Sequence, residues 1–517
     1  MPTVLEYFIL SVYFIALVVL CVFGAHGFVM VYYFRKARGI SGLRPKPLKR
    51  HPQVTVQLPL YNEYYVAERL IRAVCRLDYP RECLEIQVLD DSTDETLAIS
   101  QRCVQEYRAR GFNIRLLPRT EREGYKAGAL KAGLAASTGE FIAIFDADFI
   151  PPPDFLKRTL PHFSDARIGM VQTRWGHLNG NFSLLTRLQA LGLDGHFVVE
   201  QAARNRAGFF INFNGTAGVW RRECIFDAGN WSADTLTEDL DLSYRAQLRG
   251  WKFKFLGETV CPAELPSEIT ALRSQQFRWT KGAIETAKKI LPQVWRAPIA
   301  LGLKLQATVH LTNNLVFPFI FLVGLLNPLL IFIKNEGTSN YSFYFAASSV
   351  FMAAFFGSFL MYLTSQKELY SDWQRRILFF PIFMAGSMGL ACNNLRAIWQ
   401  GLLNRKTEFL RTPKYRIESE DDDFHDKIYF KTWRRWSRFY GTGVVELLLA
   451  FYSFAGVLLA MKYLELAAIP FQSLFCLGYG FIGYLSLKQT VWPLLVARVE
   501  RMPLWISGRA KGALPFH

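Results

Sequence analysis

EFIAIFDAD, residues 140–148, sets an apolar run between polar ends and closes on two acids with one alanine between them. A run this short reads as a strand, and it is the last of a series. VTVQLPL (54–60), LEIQVLD (84–90) and NIRLLP (113–118) precede it at intervals of about 28 residues. Helix-compatible stretches such as YVAERLIRAVCRL (65–77) and YKAGALKAGLAA (125–136) separate them. Strand and helix in alternation predict an α/β domain with a parallel sheet and right-handed crossovers. Ligands on such sheets bind beyond the carboxyl ends of the strands. Three of the runs end there in polar loops: YNE (61–63), DDSTDE (90–95) and DAD (146–148).

On either side of this unit the chain turns apolar. Residues 8–34 carry no Asp, Glu, Lys or Arg, and an apolar run longer than about 20 residues spans a bilayer. Its length and the lack of basic residues ahead of it disfavour a cleavable signal peptide. Arg35, Lys36, Arg38, Arg44, Lys46, Lys49 and Arg50 follow at once. The positive-inside tendency therefore puts residue 1 outside and residue 35 onward in the cytoplasm. Further spans are expected near 311–333, 344–364, 443–461 and 467–487. The stretch 377–399 has basic residues at both ends, so it reads as interfacial or re-entrant. The resulting division is a transmembrane helix to residue 35, a cytoplasmic domain over 36–300, two spans within 301–366, an interfacial region over 367–442, two spans within 443–490 and a cytoplasmic tail over 491–517. A net charge of +17 suits a protein lying on an anionic leaflet and, beside so many apolar spans, argues against a nucleic-acid partner. The eight cysteines form no C-x-x-C pair, which implies neither a disulfide framework nor a zinc site.

Several acids and cations stand where chemistry is expected. Asp146 and Asp148, two apart in an extended segment, face the same way and can meet one hard cation and the diphosphate it carries; a strand-end turn explains them equally. Asp90 and Asp91 end a strand and either cap the next helix, through Thr93 or Asp94, or hold a base or ribose. Glu238 and Asp239 follow Thr237, a plausible N-cap. Near a helix N-terminus Asp239 is expected to stay ionised at neutral pH and to accept a proton from a sugar hydroxyl. Lys126 and Arg278 are cations suited to a diphosphate or to solvent. Trp279 offers either a flat face for a sugar ring or a membrane-interface anchor.

The ordered set resembles the processive, membrane-integrated glycosyltransferases of family 2, the cellulose synthase and cellulose-synthase-like group. The matches are Asp91, Asp146-Ala147-Asp148, Thr237-Glu238-Asp239 and Gln275-Gln276-Phe277-Arg278-Trp279. LPLYNE, GYKAGAL, FNGTAGVWR and TEDLDLSYRAQLRGWKF look most like the branch that holds plant mannan and glucan synthases. TEFLRTPK (407–414) looks like the group's gating loop, with Phe409, Thr412 and Lys414 in register and Arg411 where valine is usual.

The resemblance implies a cytoplasmic GT-A (Rossmann-like) domain joined to an α-helical transmembrane domain, and a need for Mg²⁺ or Mn²⁺. By position, Tyr61, Glu63 and Asp91 would contact the nucleoside, Lys126, Asp146, Gln275 and Arg278 the diphosphate region, and Asp148 with Asp146 the metal. Asp239, beside Glu238, would be the base, and Trp279 the floor under the acceptor. The implied reaction is inverting polymerisation of a β-glucan or β-mannan from UDP-glucose or GDP-mannose, the growing β-glycan being threaded across a plasma, inner or Golgi-type membrane. Membrane lipids are implied partners, and an accessory subunit has room on the far side. The alternative is a single transfer that makes a membrane glycolipid. A transporter with a nucleotide-binding domain predicts charged residues within the spans, and these hold little polarity beyond His26 and a few Asn and Ser.

Overall fold

The computed structural model describes residues 4–36, 50–337, 339–407, 411–424, 427–429 and 440–490. Phe409 and the tail 491–517 lie outside the described residues.

Seven strands form one sheet: β1 (Val54–Leu60), β2 (Leu84–Asp90), β3 (Ile114–Leu116), β4 (Phe141–Ile144), β5 (Ile168–His177), β6 (Gly218–Arg221) and β7 (Lys252–Ala263), in the order β3-β2-β1-β4-β6-β5-β7. The four read from sequence are the parallel set, β1 pairing with both β2 and β4, and β2 with β3. β6 runs antiparallel between β4 and β5, and β7 lies parallel to β5. The sheet is therefore mixed. Helices Ala67–Val74, Thr96–Ala109 and Tyr125–Ala136 connect the parallel strands; the first is shorter than the expected 65–77.

Side-chain alternation builds a core on each face. Phe141 and Ala143 pack with Val54, Val56 and Leu58 on one side, whereas Ile142 and Ile144 pack with Leu130, Leu134 and Trp220 on the other. Because β1, β2 and β4 are parallel, their following loops converge at one edge of the sheet. From β7 the chain passes into a 28-residue helix, Ile269–Arg296, that leads to the apolar half.

Among the described residues, four helical stretches are long and apolar enough to cross a membrane: Val4–Lys36, Leu301–Glu336, Ser342–Leu369 and Thr442–Lys462. The first packs on the third through small residues. A Cβ on Gly27 would stand 2.5 Å from the Gly357 carbonyl oxygen, so only glycine permits this approach. The expected span 467–487 is a helix, Ile469–Thr490, yet it does not reach that apolarity on its own. Its Gln472 turns inward, accepting from Asn327 Nδ2 at 2.8 Å and donating to the Ser453 carbonyl at 3.1 Å. Helices Trp373–Gly389 and Ala391–Leu402 meet at a 45° bend inside the stretch expected to be interfacial or re-entrant. Within the expected span 443–461 lies an acid that the polarity argument passed over: Glu446, fully buried and ion-paired with Arg273 at 2.8 Å.

Candidate active site

The loops after β1, β2 and β4, the start of helix Glu238–Leu248, the middle of helix Ile269–Arg296 and the segment around 411–414 enclose an open cleft of about 200 Å³. Among the residues singled out from sequence, Tyr61, Glu63, Asp91, Lys126, Asp146, Asp148, Glu238, Asp239, Gln275, Arg278, Trp279, Thr412 and Lys414 all line it. Phe409 lies outside the described residues. Asp90 turns away: its Oδ1 accepts from the Ser92 amide at 2.8 Å, a local turn contact.

At the loop after β2, Asp91 is held in two-point geometry by Arg119, at 2.9 and 2.5 Å. The guanidinium of Arg122 lies 3.3 Å from the centre of the Tyr61 ring. Neither arginine stands out in RTEREG (119–124), which reads as a solvated charge run. Glu63 faces Arg411 at 3.2 Å, and burial pushes its carboxyl up to about 8.

In the middle, Lys126 donates to Asp146 Oδ1 at 2.5 Å and to the Gly215 carbonyl at 2.9 Å, with Glu238 4.0 Å away. Burial alone would lower the Lys126 pKa, but Asp146 and Glu238 hold it above its ordinary value. Lys414 donates to Asp148 Oδ2 at 2.6 Å. Both carboxylates of the D-A-D triplet thus carry an ammonium group. Among the described residues no group of three or more His, Cys, Asp or Glu is placed to hold a metal by itself. Two carboxylates suit Mg²⁺ or Mn²⁺, which completes its shell with phosphate oxygens and water. The donor set fits such an ion, and the two lysines mark the positions where positive charge is stable.

On the far wall, Glu238 and Asp239 open their helix. Thr237 is the cap residue by position but makes no side-chain cap; its hydroxyl pairs with Thr286 at 3.0 Å instead. Asp239 departs from a carboxylate held fully ionised at neutral pH. Burial, reinforced by the neighbouring Glu238, pushes its carboxyl up to about 7, and this outweighs the helix terminus and Lys126. Gly215, at φ +83°, passes so close that a Cβ there would stand 3.0 Å from Asp239 Oδ2. Sequence reasoning quoted this glycine within FNGTAGVWR without seeing that a bare backbone is needed beside the acid.

Gln275, Arg278 and Trp279 share one helix face, as spacings of three and four residues require, and that face is the cleft wall. Trp279 is therefore a cleft residue, not a side chain left to the bilayer surface. Arg278 donates to Thr412 Oγ1 at 2.8 Å, and burial brings its pKa down to about 10. Glu264, also absent from the sequence reading, accepts from the Tyr415 and Arg416 amides at 2.8 and 3.0 Å and so pins the 411–416 segment across the opening.

Residues 51–282 match the family model described as glycosyltransferase like family 2. A glucomannan 4-beta-mannosyltransferase 2 of Arabidopsis thaliana is 46% identical over 251 residues, covering 47% of this chain and 47% of that protein. A glucomannan 4-beta-mannosyltransferase 1 of Cyamopsis tetragonoloba is 44% identical over 252 residues, 48% of each. The matched stretch spans about half the length of these curated relatives. In fold, a mannosyltransferase from Pyrobaculum calidifontis, solved with GDP-Man and Mn2+, superposes with a TM-score of 0.53 at 20% identity, covering 77% of this chain and all of that one. The mixed sheet, with its convergent loops, is thus a GT-A fold, and its residues 51–282 are similar to glycosyltransferase family 2.

Proposed function

We propose that this chain is an inverting, processive glycosyltransferase of a membrane, building a β-mannan or glucomannan from GDP-mannose on its cytoplasmic side and passing the product across the bilayer. The observation that carries the reading is the meeting, in one cleft, of a base-like carboxyl, a paired D-A-D triplet and an aromatic face at the edge of the apolar helices. The names of the curated relatives favour mannose over glucose, and the fold neighbour's GDP-Man is in keeping with that choice.

In this mechanism Asp239 accepts the proton of the acceptor hydroxyl, whose oxygen bonds to the donor's anomeric carbon as that carbon's bond to the diphosphate breaks. Attack from the face opposite the diphosphate turns an α-linked donor into a β-linked product. A carboxyl poised near 7 suits a base working at neutral pH. Lys126 and Arg278 meet the charge that grows on the leaving diphosphate. Mg²⁺ or Mn²⁺, held by Asp148 with Asp146, would supply further charge there when bound. Trp279 offers its face to the terminal sugar of the acceptor.

The test uses the protein in nanodiscs with Mn²⁺ and radiolabelled GDP-mannose or UDP-glucose. The expected result is a high-molecular-weight product, labelled from GDP-mannose and cut by β-mannanase. Label found wholly in the lipid phase would make this a single-transfer glycolipid enzyme and retire the translocation.

A further inference from the structure

We infer that Arg411 and Glu63 together read the base of the donor and select guanine over uracil; this takes the glycosyltransferase reading above as its premise. Glu63 comes from the loop after β1, Arg411 from the segment whose resembling loops carry valine at this place, and both line the cleft. Their charged atoms stand 3.2 Å apart, with side chains only 12% and 13% exposed. The contact is not aligned as a hydrogen bond. Glu63 Oε2 and Arg411 Nη1 are each buried without a hydrogen-bond partner among the described residues. Buried polar atoms left in this state are rare and call for a function.

The surroundings fix the pair in place. The Arg411 guanidinium lies 4.1 Å from the centre of the Tyr429 ring. The Tyr429 hydroxyl donates to Asp94 Oδ2 at 2.5 Å and accepts from the Tyr64 amide at 2.9 Å, so the ring is anchored to the loops after β1 and β2. Asp91, the other acid at this end, already has both oxygens committed to Arg119. Glu63 is thus the acid with capacity to spare, and two N–H donors arriving at its oxygens would favour the ionised form that burial alone disfavours.

Guanine and uracil differ in the pattern such a pair would meet. Guanine presents two adjacent N–H donors, at N1 and N2, beside the acceptors O6 and N7. A carboxylate takes the two donors with its two oxygens, and a guanidinium donates to O6 or N7. Uracil presents a single N–H between two carbonyl oxygens. Against it the carboxylate would satisfy one oxygen and set the other against a carbonyl. A site built to hydrogen-bond a group rejects an analogue that lacks it, because its own buried atoms are left unpaired.

The experiment measures binding of GDP, IDP and UDP, each with Mn²⁺, to the full-length protein in nanodiscs. Wild type is expected to favour GDP over UDP by about tenfold or more, the scale of one two-point base contact. It should also favour GDP over IDP, which lacks the 2-amino group. In R411V the GDP affinity falls about tenfold while UDP binding changes little. R411K keeps the charge but not the planar fork, and it should lose the preference as well. In E63Q, nearly the same shape, the difference between GDP and IDP disappears. Unchanged GDP:UDP and GDP:IDP ratios in these variants overturn the base reading alone, since UDP binding reports that the cleft is folded. A wild-type protein that binds none of the three overturns the glycosyltransferase reading with it.

Discussion

Asp239 concentrates the chemistry of the cleft in one carboxyl. Burial and Glu238 push it up to about 7, above the ordinary aspartate value near 4. Two consequences follow from the same shift. The base must be ionised, so kcat/KM is expected to fall about tenfold per pH unit below 7 and to level off above it. Asp239→Asn should abolish transfer while leaving GDP binding nearly intact, and wild-type-like turnover in that variant would remove Asp239 as the base. The second consequence concerns stability. Between about pH 4 and 7 the folded state holds a proton that the unfolded state has released, so folding weakens as pH rises through that window. Asparagine removes this penalty. At pH 8 the variant should melt higher than wild type, by about 2–4 °C for each kcal/mol relieved in a domain of this size. An inactive variant that melts no higher would mean that the carboxyl is solvated after all.

Helix Ile269–Arg296 is the element on which the site and the apolar half meet. Its cleft face holds Gln275, Arg278 and Trp279. Gly282 packs on Thr237, the residue before Glu238 and Asp239, where a Cβ would stand 2.6 Å from Thr237 Cγ2. Lys281 donates to Thr407 Oγ1 at 2.6 Å. Arg273, one turn before the cleft residues, is fully buried and bonds Glu446 at 2.8 Å, Ser486 at 2.6 Å and Thr442 at 2.5 Å, tying the helix to the last two apolar helices. Removing one partner of such a pair strands the other's charge and costs about 3–5 kcal/mol. Arg273→Ala is therefore expected to lower both the melting temperature and turnover, and Arg273→Met with Glu446→Leu to recover most of the stability. Equal melting of Arg273→Ala and wild type would show that the pair does not hold the junction. Arg273 stands two residues before Gln275 and was assigned nothing from sequence, because its partner lies 173 residues away and no local pattern announces it. Motif residues were legible because their spacing is itself the signal. β1 to β4 were legible because helices punctuate them. β6 is four residues long, and β5 and β7 mix Arg, Lys, Gln and Glu into their runs, so the second half of the sheet offered no comparable rhythm.

Across the whole molecule, a few polar contacts sort the helix ends into two sets. At one end Tyr341 donates to Glu6 at 2.8 Å, Tyr344 donates to the Leu10 carbonyl at 2.7 Å, and Lys334 pairs with Glu465 at 2.6 Å. The start of the first helix and the turns near 334–343 and 462–466 thus lie together. At the other end the α/β domain touches the apolar helices: Arg206 reaches the Phe34 carbonyl at 3.3 Å, Gln366 reaches Asp194 at 3.1 Å, and the Ile269 amide donates to Gln489 at 3.0 Å. Five helices run between these two ends, including Ile469–Thr490, whose inward glutamines make it less apolar than the rest. With five crossings and basic residues after the first helix, the positive-inside tendency would put the domain on the cytoplasmic side and the gathered turns outside. Single cysteines at the exposed positions Asn340, Leu464 and Lys406 test this with a membrane-impermeant maleimide on sealed cells. Asn340→Cys and Leu464→Cys are expected to label from outside, and Lys406→Cys only after permeabilisation. If Leu464→Cys labels only with Lys406→Cys, the last two helices form a re-entrant hairpin and the five-crossing arrangement fails. Labelling of Lys406→Cys in sealed cells would move the catalytic cleft to the outer face, away from cytoplasmic nucleotide sugars.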